Sequence, residues 1–98
     1  MTDAWHAAAL ANGDNVATVL RAVDAGERVA VRTPQGVVEI VALERIALCH
    51  KIALSDVPAG GAVVKYGECI GEASAPIRRG AWVHVHNVRS RRAGGEPK

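Results

Sequence analysis

The sequence has no phenylalanine, one tyrosine and two tryptophans, so aromatic residues make up only 3% of its 98 residues. A core of large rings is excluded, and Val and Ala must supply the apolar volume. Cysteine is scarce as well. Cys49 and Cys69 stand far apart and form no Cys-x-x-Cys pair, which excludes a zinc ribbon. Two scattered cysteines fit a reducing cytoplasm, where both would serve as small buried apolar residues. Long apolar runs are missing too. The Ala-rich start, residues 1–12, has no basic leader and carries His6, so it makes a poor signal peptide and is too short to span a bilayer. No membrane association is expected. Net charge is only +2, without aromatic–basic interleaving, so no nucleic-acid partner is expected either. No P-loop, dinucleotide fingerprint or Ser-His-Asp order occurs.

What the chain does have is glycine at short intervals, with runs rich in Val and Ile between. That rhythm favours short strands and turns in one small domain. The stretch "RVAVRT" (28–33) alternates polar and apolar residues, as a half-buried strand does. "TPQG" (33–36) reads as a hairpin turn and "VVEIVAL" (37–43) as the returning strand. "GAVVKYG" (61–67) and "AWVHVHNV" (81–88) are strand-like. "DNVATVLRAV" (14–23) is ambiguous: Asp14 or Asn15 could cap a short helix with Val16, Val19, Leu20 and Val23 on one face. The fold class expected is mostly β, with one or two short helical turns. Three segments, "AVDAGERVAV", "LSDVPAGGAVV" and "SAPIRRGAWVHV", each place a turn glycine ahead of a strand, which suggests similar loops feeding strands. The basic end, residues 89–98, reads as a flexible tail after a domain spanning 1–88. So small a core invites a partner, and a valine-rich edge strand would favour a homo-oligomer.

The chemistry-bearing groups fall in three places. In a continuous strand His84 and His86 share a face, with Val83 and Val85 on the core side. Two such imidazoles can bind a divalent metal, or one can act as a base near neutral pH. They can equally be exposed strand histidines. Asn87 follows, either pointing away or ending the strand with its amide turned to the same site. His50 and Lys51 would form a proton-transfer or carboxylate-binding pair if they line a cleft, and an exposed polar pair otherwise. Lys65 and Tyr66, ahead of Gly67, offer a point charge and a phenolic donor, or simply a strand ending in a turn.

Taken together, "DNVATVL…AGERV", "HKIALSDVPAGGAVVKYGECIGEA" and "IRRGAWVHVHN" resemble the SAF domain of the altronate/galactarate dehydratase family, over roughly residues 5–88. The three motifs in this order are far more specific than any one of them. The resemblance implies a small β-clip fold. It also implies a large dehydratase-type catalytic subunit or domain as partner, the SAF domain also being the small subunit of sulfolactate sulfo-lyase. A start at Met1 and the form of the tail favour a separate small subunit. The implied activity is lyase chemistry: elimination of water, or sulfite, from a sugar acid or sulfolactate. The matching positions imply His50, Lys51, Lys65 and Tyr66 as catalytic, His50, Lys65 and Asn87 as substrate-binding, and His84 and His86 as metal ligands. The metal would be iron(II), manganese or magnesium, shared with the large subunit. A non-catalytic binding or scaffolding module is the competing expectation.

Overall fold

The computed structural model describes residues 5–90. Every regular element among them is a strand: β1 (Ala7–Ala8), β2 (Val16–Val19), β3 (Arg28–Thr33), β4 (Gly36–Val41), β5 (Lys51–Ala53), β6 (Ala62–Lys65), β7 (Glu68–Ala73), β8 (Trp82–Val83) and β9 (Val88–Arg89). A six-stranded sheet has the order β4-β3-β1-β2-β5-β8, and a three-stranded sheet the order β6-β7-β9. The mostly β expectation is met. The expected helical turns are not formed among the described residues.

The β3–β4 hairpin follows from its sequence. Val29 and Val31 are fully buried, while the alternating Arg28 and Arg32 are exposed. Pairing runs from Arg28↔Val41 to Thr33↔Gly36 around the Pro34-Gln35 turn. The β6–β7 hairpin turns on Tyr66 and Gly67, with φ of 55° and 76°. A type I′ turn requires positive φ at both central positions.

The ambiguous segment resolves as strand β2. Its pairing with β1 on one side and β5 on the other buries Val16, Ala17 and Val19. Side chains buried on both faces erase the alternation that marks a half-exposed strand, and β-branched valine favours the extended chain. Asp14 and Asn15 tie strands together instead of capping a helix. The Asp14 carboxylate accepts from the Gly67 and Ala11 N–H groups, and the Asn15 amide accepts from Val64 N–H and donates to Ala62 O.

Four turns of one design join these strands. Each holds a buried apolar residue: Val23, Ile46, Val57 and Ile77. They bridge in pairs, Val23 with Ile46 and Val57 with Ile77, each pair exchanging two backbone hydrogen bonds of 2.8–3.0 Å. Each turn then closes by an N–H to C=O bond three residues back: Glu27 to Asp24, His50 to Ala47, Gly61 to Pro58 and Ala81 to Arg78. The third residue of each has positive φ: Gly26 (85°), Cys49 (71°), Gly60 (83°) and Gly80 (90°). Three of these turns are the ones whose likeness the sequence shows. The fourth, "RIALCHK", is hidden because Cys49 replaces the glycine. Cys49 and Cys69 are both exposed free thiols, against the buried placement expected of them. Cys49 occupies the positive-φ position of its turn.

Two cores result. One gathers Ala7, Val19, Val29, Val31, Ile46 and Ile52, among others, and the second Val16, Ala53, Val57, Val63, Ile77 and Val83. Arg89, placed by the sequence reading in a tail, lies in β9 and pairs with Glu72 of β7. Residues 91–98 of that expected tail lie outside the described residues.

The turns generate a paired test. A Cβ at Gly80 would stand 2.2 Å from Val41 O, so Gly80→Ala should cost about 2 kcal/mol or more. Cys49→Gly should instead stabilise by about 0.5–1 kcal/mol, since glycine relieves the left-handed strain at the price of some chain entropy. Denaturant midpoints of the two variants measure both.

Candidate functional site

Strands β5 and β8 pair antiparallel, with Lys51 opposite Val83 and Ile52 opposite Trp82. One step further along this register places His50 opposite His84, where side chains directly across an antiparallel pair meet. Their rings stack, with centroids 4.3 Å apart and planes at 22°. Trp82, diagonal to His50, stacks with it at 5.7 Å and donates its indole N–H to His50 Nδ1 at 2.9 Å. Trp82 also lies 5.4 Å from His84 and 4.5 Å from His86. Three imidazoles thus surround one indole.

The strand expected through 81–88 does not continue. It stops at Val83, and residues 84–87 form a tight turn leading into β9. Asn87 makes the turn: its Oδ1 accepts from His84 N–H at 2.9 Å and its Nδ2 donates to Trp82 O at 2.8 Å. The Asn87 amide, expected to bind substrate, thus holds backbone on both sides of the turn. The chain reversal also corrects the strand faces. Val83 is buried in the second core, but Val85 is 81% exposed. His84 and His86 do share one cluster, brought to Trp82 by a turn and not by strand alternation.

A cleft of about 260 Å³ adjoins the ring stack. Lys51, His84, Arg89 and Ser90 give it polar groups, and Ile70, Val83 and Val88 apolar ones. His84 belongs to both stack and cleft. Lys51 reaches the cleft because it lies on the opposite face of β5 from His50. Burial, then the charge of Lys65, pulls the Lys51 ammonium below its ordinary pKa. Lys65 and Tyr66 do not line the cleft. The Lys65 ammonium sits 4.7 Å from the Tyr66 ring centroid at the β6–β7 turn. Arg89 and Ser90 are additions the sequence reading missed. Arg89 is positioned by an ion pair with Glu72, with Nε to Oε2 at 2.8 Å. Its one signal in the sequence, a basic residue after the HVHN run, is shared with the whole basic tail.

His84 titrates below the ordinary imidazole pKa, first through desolvation, then through His50, Lys51 and His86. The lowered pKa favours the neutral ring, the form able to accept a proton. Among the described residues no three His, Cys, Asp or Glu come together as a metal site. His84 and His86 alone are too few to hold a divalent ion, so the described residues do not by themselves fit the metal that the resemblance implies.

Comparison with known proteins follows the same residues. Residues 5–91 match the model of the altronate/galactarate dehydratase SAF domain. The chain belongs to this family. Galactarate dehydratase (L-threo-forming) of Escherichia coli K12 is 41% identical over 70 residues, 71% of this chain and 12% of that protein. Altronate dehydratase of Bacillus subtilis 168 is 39% identical over 77 residues, 79% of this chain and 15% of that protein. This SAF domain thus spans a small fraction of those dehydratases. The (2R)-sulfolactate sulfo-lyase subunit alpha of Chromohalobacter salexigens is 33% identical over 76 residues, 76% of this chain and 81% of that subunit.

The charge arrangement gives a pH test. A histidine with lowered folded pKa binds its proton more readily in the unfolded chain, so stability falls as pH drops through the unfolded imidazole pKa. In an NMR titration His84 should titrate below 6.5, and Lys51→Met should move it back up. The acid-side loss of stability should shrink in His84→Gln.

Proposed function

We propose that this SAF domain is the small subunit of a carbon–oxygen or carbon–sulfur lyase, working with a large dehydratase-type subunit in the cytoplasm. The observation that carries the reading is the meeting of Lys51, His84 and Arg89 on one cleft, with His50 stacked behind. Two cations suit a carboxylate or sulfonate, and a neutral imidazole beside them suits proton transfer. The extent of the match to a sulfo-lyase subunit alpha supports a small-subunit organisation. No helix among the described residues is long and apolar enough to cross a membrane.

The chemistry follows from what a hydroxy acid requires. A base removes the proton on the carbon next to the carboxylate. The electron pair forms a carbon–carbon double bond as the neighbouring C–O or C–S bond breaks. Hydroxide leaves with a proton from an acid as water, or sulfite leaves directly. Lys51 and Arg89 hold the anionic end and offset the charge that develops on it. His84 is the group placed to move the proton. Lys65 acts through its field on Lys51, and Tyr66 stands with Lys65 away from the cleft wall. A divalent ion, iron(II), manganese or magnesium, belongs to this proposal only as one whose remaining ligands come from the large subunit.

Reconstitution with the large subunit tests the reading on altronate, galactarate and sulfolactate. His84→Ala should lower kcat about 10²-fold or more, the usual scale of general acid–base catalysis, and leave assembly intact. Assembly with unchanged turnover would make the domain a scaffold or binding module.

A further inference from the structure

His50 is an imidazole whose two nitrogens are distinguished by the fold. Its Nδ1 lies 2.9 Å from the Trp82 indole nitrogen, and an indole N–H donates but cannot accept. A hydrogen on Nδ1 would leave two donors facing each other. The neutral ring must therefore carry its hydrogen on Nε2. Stacking against Trp82 on one contact and His84 on another fixes the plane of the ring, and with it the direction of that Nε2–H. Trp82 is itself pinned. Its backbone N–H donates to a Glu44 carboxylate oxygen at 3.0 Å, its carbonyl accepts from Asn87, and it stands opposite Ile52 in the ladder.

We propose that Trp82 is a positioning residue that locks His50 as the Nε2–H tautomer, so that His50 offers a ligand a hydrogen-bond donor and not a base. The partner of that Nε2–H is then an acceptor atom, and the tautomer holds whether or not the lyase reading does.

The test is an imidazole nitrogen NMR spectrum of the labelled 98-residue chain, at a pH where the histidines are neutral. Expected in the wild type are the Nε2–H pattern for His50 and a coupling across the hydrogen bond between Trp82 Nε1 and His50 Nδ1. Trp82→Phe keeps a stacking ring but removes the donor, and should turn His50 into a mixture of tautomers. His6 is an internal control: its Nδ1 accepts from Ala30 N–H at 3.1 Å, so its tautomer should stay fixed in both proteins. Should the variant fail to fold, the wild-type coupling decides. A protonated Nδ1 on wild-type His50, a missing coupling, or an unchanged tautomer in folded Trp82→Phe overturns the proposal. Because no partner or substrate is present, failure of the lyase reading would leave this result standing.

Discussion

The β2–β5 ladder is the constraint on which the rest of the molecule depends. Val16 pairs with Ala53, Ala17 with Ile52 and Thr18 with Lys51. Successive strand residues point to opposite faces, so this narrow ladder supplies both cores at once. Ile52, Ala17 and Val19 close the first core, and Ala53 and Val16 close the second. Neither half of so small a chain could bury enough surface alone. The site forms where the ladder ends. Lys51 is the first residue of β5 after the turn, so its side chain leaves the core for the cleft, and His50 just before it meets His84, just past the end of β8.

The turns translate that ladder into a site. The turn through Cys49 delivers His50 and Lys51, and the turn through Gly80 delivers Trp82 and His84. They are copies of one hydrogen-bonded design, and they attach to the two strands of the same ladder: Cys49 N–H donates to Val19 O of β2, and Gly80 N–H to Ala53 O of β5, at 3.0 and 2.8 Å. The cluster therefore rests on rigid backbone on both sides. Asn87 completes it by ending β8 at the point where a continuing strand would have carried His86 away from Trp82.

Much of this was legible in the residues. The β3–β4 hairpin could be read because its outer face is wet and its alternation intact. Three of the four turns showed through their glycines. β2 was harder, since a strand buried on both faces has no alternation to display. The fourth turn was masked by Cys49, whose side chain hides a backbone shape normally marked by glycine. The gathering of His50, Lys51 and His84 needed the β5–β8 register, which no local pattern encodes. Arg89 had no chance of standing out beside Arg91 and Arg92 until β9 paired it with β7. Lys65 and Tyr66 were read as site residues from their neighbours in sequence, whereas the β6–β7 hairpin sets them apart from the cleft wall.

Small size, a cleft lined by Lys51, His84 and Arg89, and family membership join in the proposal that this chain completes the active site of a larger lyase. The most direct measurement is affinity capture of the tagged chain at endogenous level and low salt, with the mass and turnover of the recovered assembly. The account predicts a stoichiometric large dehydratase-type polypeptide, and an assembly that eliminates water or sulfite from a hydroxy acid although neither component does so alone. Recovery of the chain by itself, or of a large subunit fully active without it, would contradict the account.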